Sequence, residues 1–168
     1  MTFITRPVTR ITSVAFYLFG VCLLAVMSWG LSGVAQAAQT EGLISHKSPY
    51  SVEETLDKFE QRVLAKGLKV FARIDHSAGA KKVGQDLRPT QLLIFGNPQG
   101  GTPLMLCQQT FGMDLPLKAL VWQDEDKQVW LSYNDIDYLT ARHQTASDCG
   151  SATQVKQLLS KLAQEAIR

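Results

Sequence analysis

The segment Leu117–Asn134, LKALVWQDEDKQVWLSYN, carries the clearest structural pattern in this chain. Its two arms, Leu117–Gln123 and Gln128–Tyr133, are rich in aliphatic and aromatic residues, which favour β-strands. The four residues between them, Asp124–Lys127, are all charged, as expected of a solvent-exposed hairpin turn. The segment therefore predicts two antiparallel strands joined by a short turn.

Three segments upstream of this hairpin are predicted to be further strands. Lys69–Asp75 alternates polar and apolar residues, which is typical of a strand with one face in water. Gln91–Phe95 is apolar almost throughout, so we expect a central strand, and Leu43–Lys47 is expected to be a short one. Because consecutive strands are joined by short connections, the sheet is predicted to be antiparallel.

Helix-start signals lie between and after these strands. Ser51-x-x-Glu54 and Ser151-x-x-Gln154 are capping boxes, each followed by apolar residues at helical spacing. Thr102 and Asn134 are expected to cap two shorter helices. The resulting order, β-α-β-β-(α)-β-β-α-α, predicts an α+β fold in which helices cover one face of an antiparallel sheet. The apolar stripe of the first helix is expected to comprise Val52, Leu56, Phe59, Val63 and Leu64.

The first forty residues have the features of a secretory signal. Arg6 and Arg10 precede a run from Ile11 to Thr40 without a charged residue, and Ala35-Gln36-Ala37 matches an A-x-A cleavage site. We therefore predict a signal peptide over residues 1–37, cleaved between Ala37 and Ala38, and a periplasmic or secreted product.

An uncleaved membrane anchor is the alternative for this segment. Residues 11–34 are 24 in number, enough to cross a hydrocarbon core of about 30 Å as a helix. In both interpretations the two arginines hold the amino terminus in the cytoplasm. The remainder is then expected outside the inner membrane, in contact with it only through the N-terminal segment.

The rest of the chain has the size and charge of one neutral domain. Residues 38–47 are expected to form a linker and the first short strand, and residues 48–168 a single α+β domain. The full chain has 17 Lys and Arg against 15 Asp and Glu, and removing Arg6 and Arg10 leaves 15 against 15. A nucleic-acid-binding protein should carry a basic face, so we expect no nucleic-acid partner.

Cys107 and Cys149 are the two cysteines outside the leader. In an oxidising compartment such a pair is predicted to form a disulfide. The alternative is two unpaired thiols.

Residues that could carry chemistry are few. Asp75-His76 ends a strand, and a histidine beside a carboxylate is suited to general acid/base catalysis. His143 follows a predicted short helix and, if it met His76, the two imidazoles would suit a transition-metal ion. The Gly96–Gly101 turn, with Asn97, would present free backbone N–H groups to an anion or would simply reverse the chain. No nucleophile motif with an identifiable base is present, and no cofactor is predicted.

Five stretches together resemble one family: FARIDH (71–76), LLIFGNP (92–98), GTPLM (101–105), DLPLKALVW (114–122) and VWLSYN (129–134). The similarity covers nearly all of the chain after the leader, from about residue 48 to residue 166, and it is to the family known as domain of unknown function 302. It implies a fold related to that of the TATA-binding protein, a strongly bent antiparallel sheet backed by helices, without implying DNA binding. It implies no established reaction.

These features predict an exported module that binds an unidentified small molecule or protein. The ligand-binding residues are predicted to be Asp75, His76, Asn97 and His143, and the catalytic residues are unknown. One alternative is an enzyme that uses His76 as its general acid/base. Another is a metal-binding protein that uses His76 and His143. An exposed sheet edge would also support a homodimer.

Overall fold

The computed structural model describes residues 40–168, so the predicted signal peptide, the Ala37–Ala38 cleavage site and the alternative anchor lie outside the described residues. The described chain is α+β, as predicted. Among residues 40–168 no helix is long and apolar enough to span a membrane. The strands are β1 Leu43–Ser48, β2 Lys69–Asp75, β3 Thr90–Gly96, β4 Leu117–Gln123 and β5 Val129–Asn134. The α-helices are α1 Val52–Ala65, α2 His76–Lys82, α3 Pro98–Cys107, α4 Ile136–Arg142 and α5 Ala152–Ala166, and Gln109–Met113 is a 3₁₀ helix.

The five strands form one open antiparallel sheet in the order β1-β5-β4-β3-β2. The predicted hairpin joins β4 to β5, with Trp122 opposite Trp130. Its turn is held by Asp124, whose Oδ1 accepts from Gln128 N at 2.8 Å and whose Oδ2 accepts from Trp130 Nε1 at 2.7 Å. The indole donor is the main cause of the lowered pKa of the Asp124 carboxyl. The prediction of an antiparallel sheet built around this hairpin is confirmed.

Helices α1 and α5 pack against each other, and α1 covers one face of the sheet. The buried side of α1 includes Leu56, Phe59 and Val63, as the helical spacing predicts, whereas Leu64 is 54% exposed. From the sheet, Phe95 meets Phe59 edge-on with ring centroids 5.4 Å apart. Burial of these rings between helix and sheet contributes to the stability of the fold.

Two of the predicted helix caps are wrong, each because the helix begins at another residue. Helix α3 begins at Pro98, capped by Asn97, so Thr102 lies inside the helix. Helix α4 is capped by Asp135, whose side chain accepts from Asp137 N, so Asn134 ends β5 instead. In both places the true cap is also a good hydrogen-bond acceptor next to the predicted helix, and local sequence does not discriminate between the candidates.

The two capping boxes differ in outcome. Ser51 Oγ accepts from Glu54 N at 3.1 Å, as predicted for the start of α1. Ser151 precedes α5, but its side chain makes no capping hydrogen bond. Instead, the Ser151 hydroxyl donates to Gly100 O at 2.5 Å and ties the start of α5 to α3. A tertiary contact has replaced the local cap.

Candidate ligand-binding cavity

An apolar cavity of about 400 Å³ lies between α3, the start of β4 and the C-terminal helix α5. Residues from β2 and from the 3₁₀ helix complete its lining. Because the lining comes from separate parts of the chain, the cavity depends on the whole fold. Its main apolar side chains are those of Phe71, Met105, Leu115, Leu117, Val155 and Leu158.

Several residues that line the cavity are glycines. Gly101 and Gly112 line the cavity, and neither has a side chain to fill it. A Cβ atom added at Gly101 would meet Leu115 Cδ1 at 3.5 Å, and one added at Gly112 would meet Met105 Sδ at 3.7 Å, both ordinary van der Waals contacts. A Cβ atom therefore fits at both positions, and a larger side chain there would extend among the residues that line the cavity.

The polar groups in the lining belong to the first turns of α3. Asn97 Oδ1 is already engaged, since it accepts from Gly100 N at 2.8 Å, and Thr102 contributes an exposed residue with a hydroxyl. Asn97 is thus both the helix cap and a cavity residue. Its amide nitrogen makes only a long contact of 3.4 Å with Gln99 Oε1. This amide group is a candidate hydrogen-bond donor to a polar group of a ligand.

Helices α3 and α5, which form opposite parts of the wall, are joined at a second place besides the Ser151 contact. Cys107, the last residue of α3, and Cys149 lie at disulfide-bonding distance, with their Cα atoms 6.3 Å apart. Gly150 follows with φ +58°, and a Cβ there would lie 2.6 Å from Pro103 O. Only glycine allows this close approach of the loop to α3.

Of the four predicted ligand-binding residues, the structure brings Asn97 to the cavity; Asp75, His76 and His143 are not in its lining. Asp75 caps α2, since its Oδ1 accepts from Ala78 N at 2.9 Å and from the Ser77 hydroxyl at 2.7 Å. These hydrogen bonds, that from Ala78 first, lower the pKa of the Asp75 carboxyl. His76 is the first residue of α2 and is exposed. A ligand role for these three residues stays a prediction.

His143 hydrogen-bonds to two residues that are distant from it in sequence. Its Nδ1 is 2.8 Å from Thr110 Oγ1, and its Nε2 is 2.7 Å from Asp114 Oδ2. Both partners come from the connection between α3 and β4, about thirty residues away in sequence. Within residues 40–168, no three His, Cys, Asp or Glu side chains are grouped so as to hold a metal ion. The metal-binding alternative therefore gains no support from this part of the chain.

His46 on β1 gives a pH-dependent prediction. Its ring stacks on Tyr133 with centroids 5.9 Å apart, and partial burial lowers its pKa. In the unfolded chain His46 therefore binds a proton more readily than in the folded protein. The contribution of His46 to stability is fully present above about pH 6.5 and is lost as the pH falls below that value. We expect the urea midpoint to fall between pH 7.5 and pH 5.5, and the fall to be smaller in His46→Gln. An unchanged fall in that variant would assign the effect to other groups.

The sequence profile of the family described as Domain of unknown function DUF302 matches residues 44–166. The chain belongs to this family. A crystal structure of an uncharacterized conserved DUF302 protein from Bacillus stearothermophilus has a TM-score of 0.69 with 17% sequence identity, covering 77% of this chain and 100% of that one. At that identity the likeness shows the shared fold alone.

Two curated relatives of this DUF302 chain carry a functional name. The protein named Fluoride-specific ion channel FluC 1 from Brucella suis biovar 1 (strain 1330) is 48% identical over 102 residues, which are 61% of this chain and 40% of that protein. Fluoride-specific ion channel FluC 2 from Brucella melitensis biotype 1 matches equally over 102 residues, 38% of its length. The chain thus spans about two fifths of the length of these relatives.

Proposed function

We propose that this DUF302 protein is an exported binding module whose cavity accepts a small, largely apolar molecule. The observation that carries the proposal is the cavity of about 400 Å³. A cavity of this size suits a small organic ligand, and apolar walls with a few polar groups at one side are typical of such sites. The export part of the proposal depends on the leader at residues 1–37.

The residues that line the cavity indicate the polarity of the ligand. Leu115, Leu117 and Leu158 offer surface that an alkyl chain or an aromatic ring would cover, and each Å² removed from water contributes about 25 cal/mol. Asn97 at the side of the cavity offers an amide N–H to one polar group of the ligand. No charged side chain belongs to the lining. We therefore infer a neutral ligand, or one whose charged group stays in water.

A cavity-filling substitution tests this proposal. Gly101→Leu places an apolar side chain in the cavity, and leucine is better than glycine in a helix by roughly 0.8–1 kcal/mol. We expect the variant to fold and to bind N-phenyl-1-naphthylamine, a neutral fluorescent probe, at least about tenfold more weakly than wild type, a loss of about 1.4 kcal/mol. Fluorescence titration of the purified protein measures the affinity.

The matched control is Gly79→Leu in α2, where an added Cβ meets nothing within 4 Å. It makes the same change in an exposed helix and should leave probe affinity unchanged. Equal binding by wild type and Gly101→Leu would refute the cavity as the binding site.

A role in fluoride handling is a second candidate, and the 48% identity to proteins named fluoride-specific ion channels favours it. Both candidates can be examined on the same preparation. In the fluoride case, adding sodium fluoride shifts backbone amide signals near the anion and leaves the probe bound. In the apolar-ligand case, a neutral apolar competitor displaces the probe and fluoride has no effect.

A further inference from the structure

A carboxylate, an imidazole and a hydroxyl form a hydrogen-bonded chain where the 3₁₀ helix meets the end of α4. Asp114 Oδ2 lies 2.7 Å from His143 Nε2, and His143 Nδ1 lies 2.8 Å from Thr110 Oγ1. The imidazole is buried and rests on the ring of Phe111, with centroids 4.4 Å apart. Thr110 is exposed. The chain therefore runs from an enclosed carboxylate to a hydroxyl at the surface.

The order of the hydrogen bonds fixes which nitrogen can accept a proton. A carboxylate only accepts hydrogen bonds, so His143 Nε2 donates to Asp114. The neutral ring then has its lone pair on Nδ1, and the Thr110 hydroxyl donates to it. Arg142 Nη1, 3.3 Å from Asp114 Oδ1, adds a positive charge that keeps the carboxylate in place. The order hydroxyl, imidazole, carboxylate is that of a base-activated hydroxyl nucleophile, with the two ring nitrogens exchanged relative to the Ser-His-Asp triad: Nδ1 faces the hydroxyl and Nε2 the carboxylate.

We propose that Thr110 is a nucleophile for acyl transfer from esters, with His143 as its general base and Asp114 as the positioning residue. Thr110 Oγ1 attacks the ester carbonyl carbon while its proton passes to His143 Nδ1. The ester C–O bond breaks, and the departing alcohol takes that proton. Water then cleaves the acyl–threonine bond by the same route, so the net reaction converts ester and water to acid and alcohol.

This activity does not rest on the proposed function. Thr110, His143 and Asp114 are absent from the cavity lining. The alternative for the same three residues is a tie that holds the 3₁₀ helix to α4. A purely structural role requires the hydrogen bonds but forms no covalent intermediate. Detection of such an intermediate therefore distinguishes the two roles.

The experiment uses the purified full chain and 4-nitrophenyl acetate, an activated ester with a good leaving group. We expect release of 4-nitrophenol and a mass increase of one acetyl group, located on Thr110 by peptide fragmentation. Thr110→Val keeps the shape of the side chain and removes the hydroxyl, and should lower the rate about 100-fold or more, the usual contribution of general-base catalysis. Thr110→Ser retains a hydroxyl and should retain the activity.

Two controls separate site chemistry from background. Imidazoles outside a site cleave activated esters unaided, so His46→Gln, which removes a partly exposed histidine outside this cluster, should leave the rate unchanged. Probe binding to the cavity should be the same in Thr110→Val and wild type, so failure here leaves the cavity proposal intact. Acetylation absent from Thr110, or wild-type rates in Thr110→Val, would overturn the assignment.

The role of Asp114 has its own readout. Asp114→Asn is expected to lower the acylation rate and to change the ¹⁵N shifts of the His143 ring, because the amide no longer fixes Nε2 as the protonated nitrogen. Wild type should show Nε2 protonated and Nδ1 bare. The opposite tautomer in wild type would remove Nδ1 as the base and overturn the proposal without reference to any variant.

Discussion

Replacing both Cys107 and Cys149 with serine, which removes the proposed bridge between them, is expected to lower the free energy of unfolding by about 4 kcal/mol. The two positions are separated by 42 residues in sequence. A cross-link across a loop of that length removes much of the freedom of the unfolded chain, and its loss returns that freedom. Their Cα separation of 6.3 Å lies in the range that disulfides span without backbone movement.

Urea unfolding of the oxidised wild type and of the double variant measures the difference. Reduced wild type serves as the control, since with dithiothreitol present the two proteins should unfold at about the same urea concentration. A double variant as stable as oxidised wild type would show that the native protein does not depend on the bridge. Because the bridge joins the end of α3 to the loop before α5, probe binding should weaken along with stability.

The sheet could be predicted from sequence because its signals are local. Lys69–Asp75 and Leu117–Gln123 were predicted with the bounds that the structure has. Alternating or continuous apolar residues determine such segments whatever they pack against. The first turn of α3 could not be predicted so well. Gly100 and Gly101 disfavour a helix, yet Asn97 caps one there, and the hydrogen bond from Ser151 to Gly100 holds it.

The candidate sites were much less accessible to sequence reasoning. The cavity lining comes from several separate segments. In the sequence, its apolar residues cannot be distinguished from ordinary core residues. His143 is a candidate from the sequence because it is a histidine. Thr110 has no local sequence signal, and Asp114 has only its place at the start of the family stretch DLPLKALVW (114–122), because separations of 33 and 29 residues follow no local motif. The one usable sign for Asn97 was an asparagine directly before a proline, the usual start of a helix.

Replacing Phe59 with alanine is expected to lower the free energy of unfolding by about 3–5 kcal/mol, because the change leaves a cavity in the core. Phe59 has no exposed surface and packs edge-on against Phe95 of β3. Loss of the ring removes its edge-on contact with Phe95, one of the contacts through which α1 packs on the sheet. The measurement is the urea midpoint at pH 7.5 with the disulfide intact.

The control is Leu64→Ala in the same helix, at a position 54% exposed. It should change stability by no more than about 0.5 kcal/mol. A domain of this size has about 5–15 kcal/mol in total, so Phe59→Ala combined with loss of the disulfide removes about 7–9 kcal/mol if the two effects add. We expect that triple variant to be largely unfolded unless the wild type lies at the upper end of the range. If the wild type proves only moderately stable and the triple variant is still well folded, the bridge and the α1 core stabilise the same contacts.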